Sequence, residues 1–140
     1  MSGQYAGDVT SKQAWEMLER DPKAVLLDVR TDAEWRYVGV ADLGVLEKRT
    51  LRVCWQEYPE LNFNPNFVKE VASHSLASDQ PLLIICRSGV RSRHAAVALT
   101  ARGYSRCYNV SDGFEGGHDA QRHRGAQEGW KAAGLPWRQE

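Results

Sequence analysis

Apolar residues gather in short continuous runs along this chain. Ala24-Val25-Leu26-Leu27 leads into Asp28, Leu82-Leu83-Ile84-Ile85 follows Pro81, and Cys107-Tyr108-Asn109-Val110 comes later. Runs of this length and continuity predict strands buried on both faces. Leu51-Arg52-Val53-Cys54-Trp55 predicts another strand. Between these runs the apolar spacing becomes helical. Thr10 or Ser11 caps a helix carrying Ala14, Trp15 and Leu18, which Asp21-Pro22 ends. Thr31 or Asp32 caps a brief helix with Trp35, and Gly39 and Gly44 then break the regularity. Gln56 to Pro65, with Tyr58 and Phe63, is expected to be an ordered aromatic loop. Asn66 to Ser75 predicts a helix with Phe67, Val68 and Val71 inside. The alanine-rich stretch Ser92 to Arg102 predicts another, with Gly103 as its terminator. Gln127 to Ala133 predicts a last helix, closed by Gly134 and Pro136. Strand and helix alternate, so a single α/β domain over residues 1–140 is expected, with a mostly parallel sheet covered on both faces.

Charge and composition narrow the partners. Eighteen Lys and Arg balance eighteen Asp and Glu. A neutral chain offers no bulk electrostatic attraction to nucleic acid, so any anion must be held locally. No 18-residue apolar run predicts a membrane span, and Met1 to Thr10 lacks the apolar core of a secretory signal. Cys54, Cys86 and Cys107 are odd in number and scattered, which is no disulfide framework. A reducing, cytoplasmic location is therefore expected.

The chemistry concentrates in Cys86-Arg87-Ser88-Gly89-Val90-Arg91-Ser92. A strand is predicted before it and a helix after it. Open α/β sheets place their binding sites at such a junction. The N–H groups of the loop and of the first helical turn lack intrahelical partners and can point at an anion. Two arginines add positive charge. A cysteine here is expected to ionise readily and act as a nucleophile. A thiol that only packs would gain nothing from Arg87 and Arg91, and burying their charges without an anion would be costly.

The residues from Cys86 to Ser92 resemble the active-site loop of single-domain rhodaneses, the thiosulfate:sulfurtransferase family. The resemblance includes Leu27-Asp28-Val29-Arg30 with Glu34-Trp35, Ala98 to Tyr104, and Tyr108-Asn109-Val110 with Gly113. It spans roughly residues 8 to 117, and more weakly Gly125 to Pro136. It implies a rhodanese-like fold with a five-stranded parallel sheet, and a persulfide formed on Cys86. The chain departs from the family at Gly39-Val40-Ala41-Asp42-Leu43-Gly44, which replaces a Gly-His-Ile-Pro-Gly-Ala-like stretch. It departs again at Asp112-Gly113, which replaces a Gly-Gly pair.

On this reading Arg87 and Arg91 hold the leaving oxyanion of a small anionic sulfur donor such as thiosulfate. The N–H groups of Arg87, Ser88, Gly89, Val90, Arg91 and Ser92 form a nest around the outer sulfur, and Gly89 permits the turn. A thiol or a protein then accepts the sulfur, or cyanide in an assay. No metal or organic cofactor is required. Asp28 and Arg30, at the end of a neighbouring strand, either orient the loop or serve structure, with an Arg30–Glu34 pair at the helix start as the simplest structural role.

Other residues admit two readings each. Trp55, Tyr58 and Phe63 either wall a pocket over the loop or pack as a satellite core. Cys54 and Cys107 read as inert buried thiols. His94 reads as solvent-exposed rather than facing the site. His118, Asp119 and His123 have the spacing of metal ligands on a helix, but Gly116-Gly117 argues for a loop there. Two rival functions remain. Phosphatases and arsenate reductases use a similar cradle with Cys-x5-Arg spacing; here Arg91 gives Cys-x4-Arg, a tighter ring suited to one sulfur atom. A persulfide carrier without turnover would use the same chemistry.

Overall fold

The chain runs through β1 (Gly7–Val9), α1 (Ser11–Arg20), β2 (Val25–Asp28), α2 (Asp32–Tyr37), β3 (Val40–Ala41), a 3-10 turn (Gly44–Leu46) and β4 (Leu51–Arg52). It continues through β5 (Gln56–Glu57), β6 (Asn62–Phe63), α3 (Phe67–Ala72), β7 (Leu82–Ile85), α4 (Val90–Ala101), β8 (Cys107–Val110) and β9 (Trp137–Arg138). These elements come from a computed structural model, which describes residues 4–57, 62–117 and 128–139.

Five strands form one sheet in the order β1-β8-β7-β2-β4, every neighbouring pair parallel. Period-two alternation in the central strands feeds two cores. Leu27, Leu82 and Ile84 face Phe67, Val71, Ala95 and Leu99 of α3 and α4. Leu26, Leu83 and Ile85 face Ala14 and Leu18 of α1, with Phe114 and Trp130. This is why the strands read as unbroken apolar runs rather than alternating ones. Capping fixes the first two helices. Thr10 accepts from the Gln13 N–H and Thr31 from the Glu34 N–H, and in both the third helical residue reaches back to the cap. No described helix is long and apolar enough to cross a membrane.

Four expectations need correction. The strand expected over 51–55 ends at Arg52. The expected aromatic loop contains two antiparallel arms, β5 and β6, pairing Gln56 with Phe63. Helix α4 starts two residues before Ser92, because Gly89 at φ 99° turns the chain directly into it. The expected last helix is absent where it is described: residues 128–133 form turns, and Gln127 lies outside the described residues. Gly129 at φ 104° lies so close to the Glu115–Gly116 backbone that a Cβ would come within 2.7 Å of the Gly116 nitrogen. Trp130 is buried and donates its Nε1–H to the Pro136 carbonyl at 2.7 Å. A seven-residue segment gains little from helix formation alone, so this packing decides its shape.

The strand order reverses between β2 and β7. From β2 the chain moves outward to β4, then crosses back to β7 on the other side. Chains emerging from β2 and β7 therefore diverge at the carboxyl edge and leave a crevice between α2 and the start of α4.

Candidate active site

Cys86 follows β7 at this reversal point and is 1% exposed. Its sulfur has three polar neighbours. The Gly89 N–H donates to Sγ at 3.2 Å and the Ser92 N–H at 3.4 Å, while the Ser92 hydroxyl lies 3.2 Å away. These donors come from the turn before α4 and from its first turn, where the backbone N–H groups are otherwise unsatisfied and the helix dipole is positive. Gly89 is required here by shape. Its φ is positive, and a Cβ would run into the Ser111 carbonyl.

A second strand of chain fixes the loop from below. Phe114 N–H donates to the Cys86 carbonyl at 2.8 Å, and the Glu115 and Gly116 N–H groups both donate to the Arg87 carbonyl at 3.0 Å. The departure at Asp112-Gly113 becomes intelligible in this geometry. Gly113, at φ 67°, is the position that cannot carry a side chain, because a Cβ would collide with the Arg87 carbonyl. Asp112 instead accepts from the Ser11 N–H at 2.9 Å and the Ser11 hydroxyl at 2.8 Å, which anchors the start of α1. Gly113→Ala should therefore lower stability by roughly 1–3 kcal/mol through backbone strain alone, and more through the clash. An unchanged denaturation midpoint would contradict this packing.

The other departure, at Gly39 to Gly44, marks where the C-terminal segment docks. β3 pairs antiparallel with β9, Val40 with Arg138 and Ala41 with Trp137. A Cβ on Gly39 would lie 2.8 Å from the Trp137 ring.

The arginines stand differently from expectation. Arg91 makes a two-pronged pair with Glu34 of α2, Nη1 to Oε1 at 2.7 Å and Nη2 to Oε2 at 2.9 Å. Arg87 lies between two carboxylates, with Nε 3.8 Å from Glu34 and 3.6 Å from Glu115. Neither guanidinium is held for an anion alone. Burial pushes the Glu34 carboxyl up, but the Arg91 hydrogen bond and charge, the Thr31 N–H and Arg30 together hold it below its usual value. Burial likewise opposes the Arg91 charge, and Glu34 outweighs it and raises Arg91 further.

Asp28 and Arg30 form a separate buried pair, so the Arg30–Glu34 contact expected from sequence does not form. Arg30 Nε and Nη2 bond Asp28 at 3.0 and 2.7 Å, and Nη2 also donates to the Gly39 carbonyl at 2.7 Å. The guanidinium stacks on the Phe114 ring, 4.3 Å from its centroid. The pair thus ties β2 to the Gly39 turn and to the segment beneath the cysteine loop.

A crevice of about 720 Å³ opens beside the loop. One wall is Thr31, Ala33, Glu34, Tyr37 and Val38; the other is Arg87, Ser88, Val90, Arg91 and His94, with Trp55 and Gln56 completing it. His94 is exposed, as expected, yet reaches the rim. Of the aromatic trio, Trp55 lines the crevice and Phe63 backs it, with ring centroids 4.7 Å apart. Tyr58, and the candidate metal ligands His118, Asp119 and His123, lie outside the described residues. Among the described residues no cluster of His, Cys, Asp and Glu could hold a metal. Burial pushes the Cys107 thiol up to about 11, against a smaller opposing hydrogen bond from Thr100. That value suits an inert packing thiol.

Sequence reasoning missed three participants. Glu34 was read only beside Trp35 and as a possible partner of Arg30; its pairing with Arg91 spans 57 residues. Asn109 accepts from the Ser92 hydroxyl at 2.5 Å and donates to the Gly89 carbonyl at 3.2 Å, from within an apolar run. Glu115 carried no signal at all.

A parallel five-stranded sheet with a cysteine loop at its carboxyl edge is the architecture of the single-domain rhodaneses, the class to which this α/β protein belongs. The chain belongs to the family described as the STR4 middle domain, whose sequence model matches residues 6–140. It is 48% identical to a protein of known structure, Rv0390 from M. tuberculosis, with a TM-score of 0.89 over 98% of this chain and all of that one. It is 38% identical to the uncharacterized protein RC0915 of Rickettsia conorii over 93% of this chain and 95% of the relative. It is 29% identical to the thiosulfate sulfurtransferase GlpE of Actinobacillus succinogenes, over 92% and 87% of the two chains.

Proposed function

We propose that the protein is a sulfurtransferase acting through a persulfide on Cys86. The observation that carries this reading is the convergence of the Gly89 and Ser92 N–H groups on a single sulfur atom, in the loop whose Arg87, Ser88, Val90 and Arg91 line the crevice. Donors aimed at one sulfur stabilise an anion there without rearrangement. With thiosulfate, the Cys86 thiolate attacks the sulfane sulfur, the S–S bond of the donor breaks, and sulfite leaves with the electron pair. Cyanide or a thiolate then takes the outer sulfur and returns the thiolate. The relative named thiosulfate sulfurtransferase supports this reaction class. No step requires a metal or organic cofactor.

The geometry weighs against phosphoryl transfer. Both terminal nitrogens of Arg91 are engaged by Glu34 instead of arching over the sulfur. Hydrolysis of p-nitrophenyl phosphate is not expected.

Incubation with thiosulfate or an organic thiosulfonate should add one sulfur atom, about 32 Da, to Cys86. Cys54 and Cys107 should stay unmodified. Turnover with cyanide then distinguishes an enzyme from a carrier that discharges only to a protein. A mass gain that persists in Cys86→Ala would refute the assignment.

A further inference from the structure

Both arginines beside the sulfur site are set against carboxylates. Arg91 pairs with Glu34, and Arg87 lies near Glu34 and near Glu115, whose charge Lys131 also feels. Behind them Asp28 and Arg30 compensate each other. The Arg91–Glu34 pair is only 18% and 12% exposed at its side chains, so its attraction is weakly screened. An incoming anion must compete with a fixed carboxylate for both guanidinium groups. A dianion feels that carboxylate's repulsion twice as strongly as a monoanion does.

The rest of the crevice is mainly apolar, with Thr31, Gln56, Ser88 and His94 as its polar side chains. Ala33 and Tyr37 of α2, and Val38 at its end, line it together with Trp55 and Val90. Tyr37 is 71% exposed and Val90 57% exposed, so both side chains are open to a ligand in the crevice. A volume of about 720 Å³ greatly exceeds the needs of an inorganic oxyanion and falls within the range of small organic ligands.

Resting on the sulfurtransferase reading above, we infer that Glu34 sets donor choice, and that the preferred donor is a singly charged sulfane-sulfur compound bearing an apolar organic group. Thiosulfonates and persulfides of small apolar thiols are the matching chemical class. For a thiosulfonate, the Cys86 thiolate attacks the terminal sulfur, the sulfur–sulfonyl bond breaks, and the organic sulfinate leaves with the electron pair. One thiolate and one monoanionic donor give one persulfide anion and one sulfinate. The leaving group carries one charge where sulfite would carry two, and its organic part stays against the apolar walls. Glu34 acts here as a positioning residue, through the two arginines.

The test is cyanide-coupled turnover with benzenethiosulfonate and with thiosulfate, read as the ratio of their kcat/KM values. The native protein should favour benzenethiosulfonate by about ten-fold or more, the scale on which apolar contacts discriminate. Glu34→Gln keeps an acceptor for the Thr31 N–H but removes the charge. It should raise kcat/KM for thiosulfate and cut the ratio about five- to ten-fold. Tyr37→Ala, at an exposed position that folding does not require, should cut the ratio from the other side by weakening benzenethiosulfonate. A native ratio of one or less, or a ratio that neither variant moves, overturns the inference. Mass spectrometry of Cys86 after each donor separates the two levels. Persulfide from both donors without selectivity overturns only the donor assignment, whereas persulfide from neither overturns the sulfurtransferase reading as well.

Discussion

Cys86→Ser is expected to reduce sulfur transfer by at least about three orders of magnitude while leaving the fold intact. The substitution keeps a small side chain in the same buried niche, so the Gly89 and Ser92 N–H groups retain an acceptor. The chemistry is what fails. A serine hydroxyl ionises far less readily than a thiol and offers a poorer nucleophile to a soft sulfur centre. Neither remaining cysteine can substitute. Cys107 is buried behind the sheet's α4 face with its thiol pushed up to about 11. Cys54 lies two residues past β4, outside the seven-residue loop, and is half-buried rather than buried as expected; its backbone carbonyl accepts from Asn64 at 3.0 Å. The check is cyanide-coupled turnover beside circular dichroism. Activity within ten-fold of native would overturn the role of Cys86.

The second large effect concerns stability. Arg30→Met is expected to destabilise the protein by about 3–5 kcal/mol, the range for breaking one partner out of a buried ion pair. Arg30 is 0% exposed and Asp28 1%. Removing the guanidinium leaves a carboxylate buried without its cation, and the Gly39 carbonyl loses its donor. The loss should spread, since Gly39 lies against Trp137 and Phe114 stacks on Arg30. Adding Asp28→Asn to Arg30→Met should recover part of the loss, because the stranded charge is then gone. Urea denaturation of both variants measures this. A double variant no more stable than the single one would show that the charge is not the source of the cost.

What sequence revealed and what it hid divide along a physical line. The central strands, α1 and the cysteine loop were legible because each rests on local signals: an apolar run, a cap, a glycine at a turn. Gly89 is an example, since its need for a positive φ is a property of the turn itself. β1, β3 and β9 were not legible. They are two or three residues long and hold their shape only through partners far away, as Val40 does with Arg138. The segment 128–133 was misread for the same reason, because contacts with Glu115 and Gly116 outweigh its weak helical tendency. At the site, Cys86 and the two N–H groups that bond its sulfur lie within the seven consecutive residues read as the loop. The state of the arginines was not legible. Whether Arg91 faces a ligand or a carboxylate depends on where α2 lies relative to α4, which no local pattern encodes.

Main-chain N–H groups of Phe114, Glu115 and Gly116 hold the carbonyls of Cys86 and Arg87, and the Asn109 side-chain amide holds the Gly89 carbonyl. The donors that face the sulfur are main-chain groups too. Ser88 and Val90, whose side chains line the crevice, therefore have no share in aiming the cradle. Substitution at either leaves the nitrogens where they are. On the sulfurtransferase reading, the groups that would handle sulfur are thereby insulated from the side chains that would meet a partner, and a loop of this kind can trade one sulfur relay for another without rebuilding its cradle.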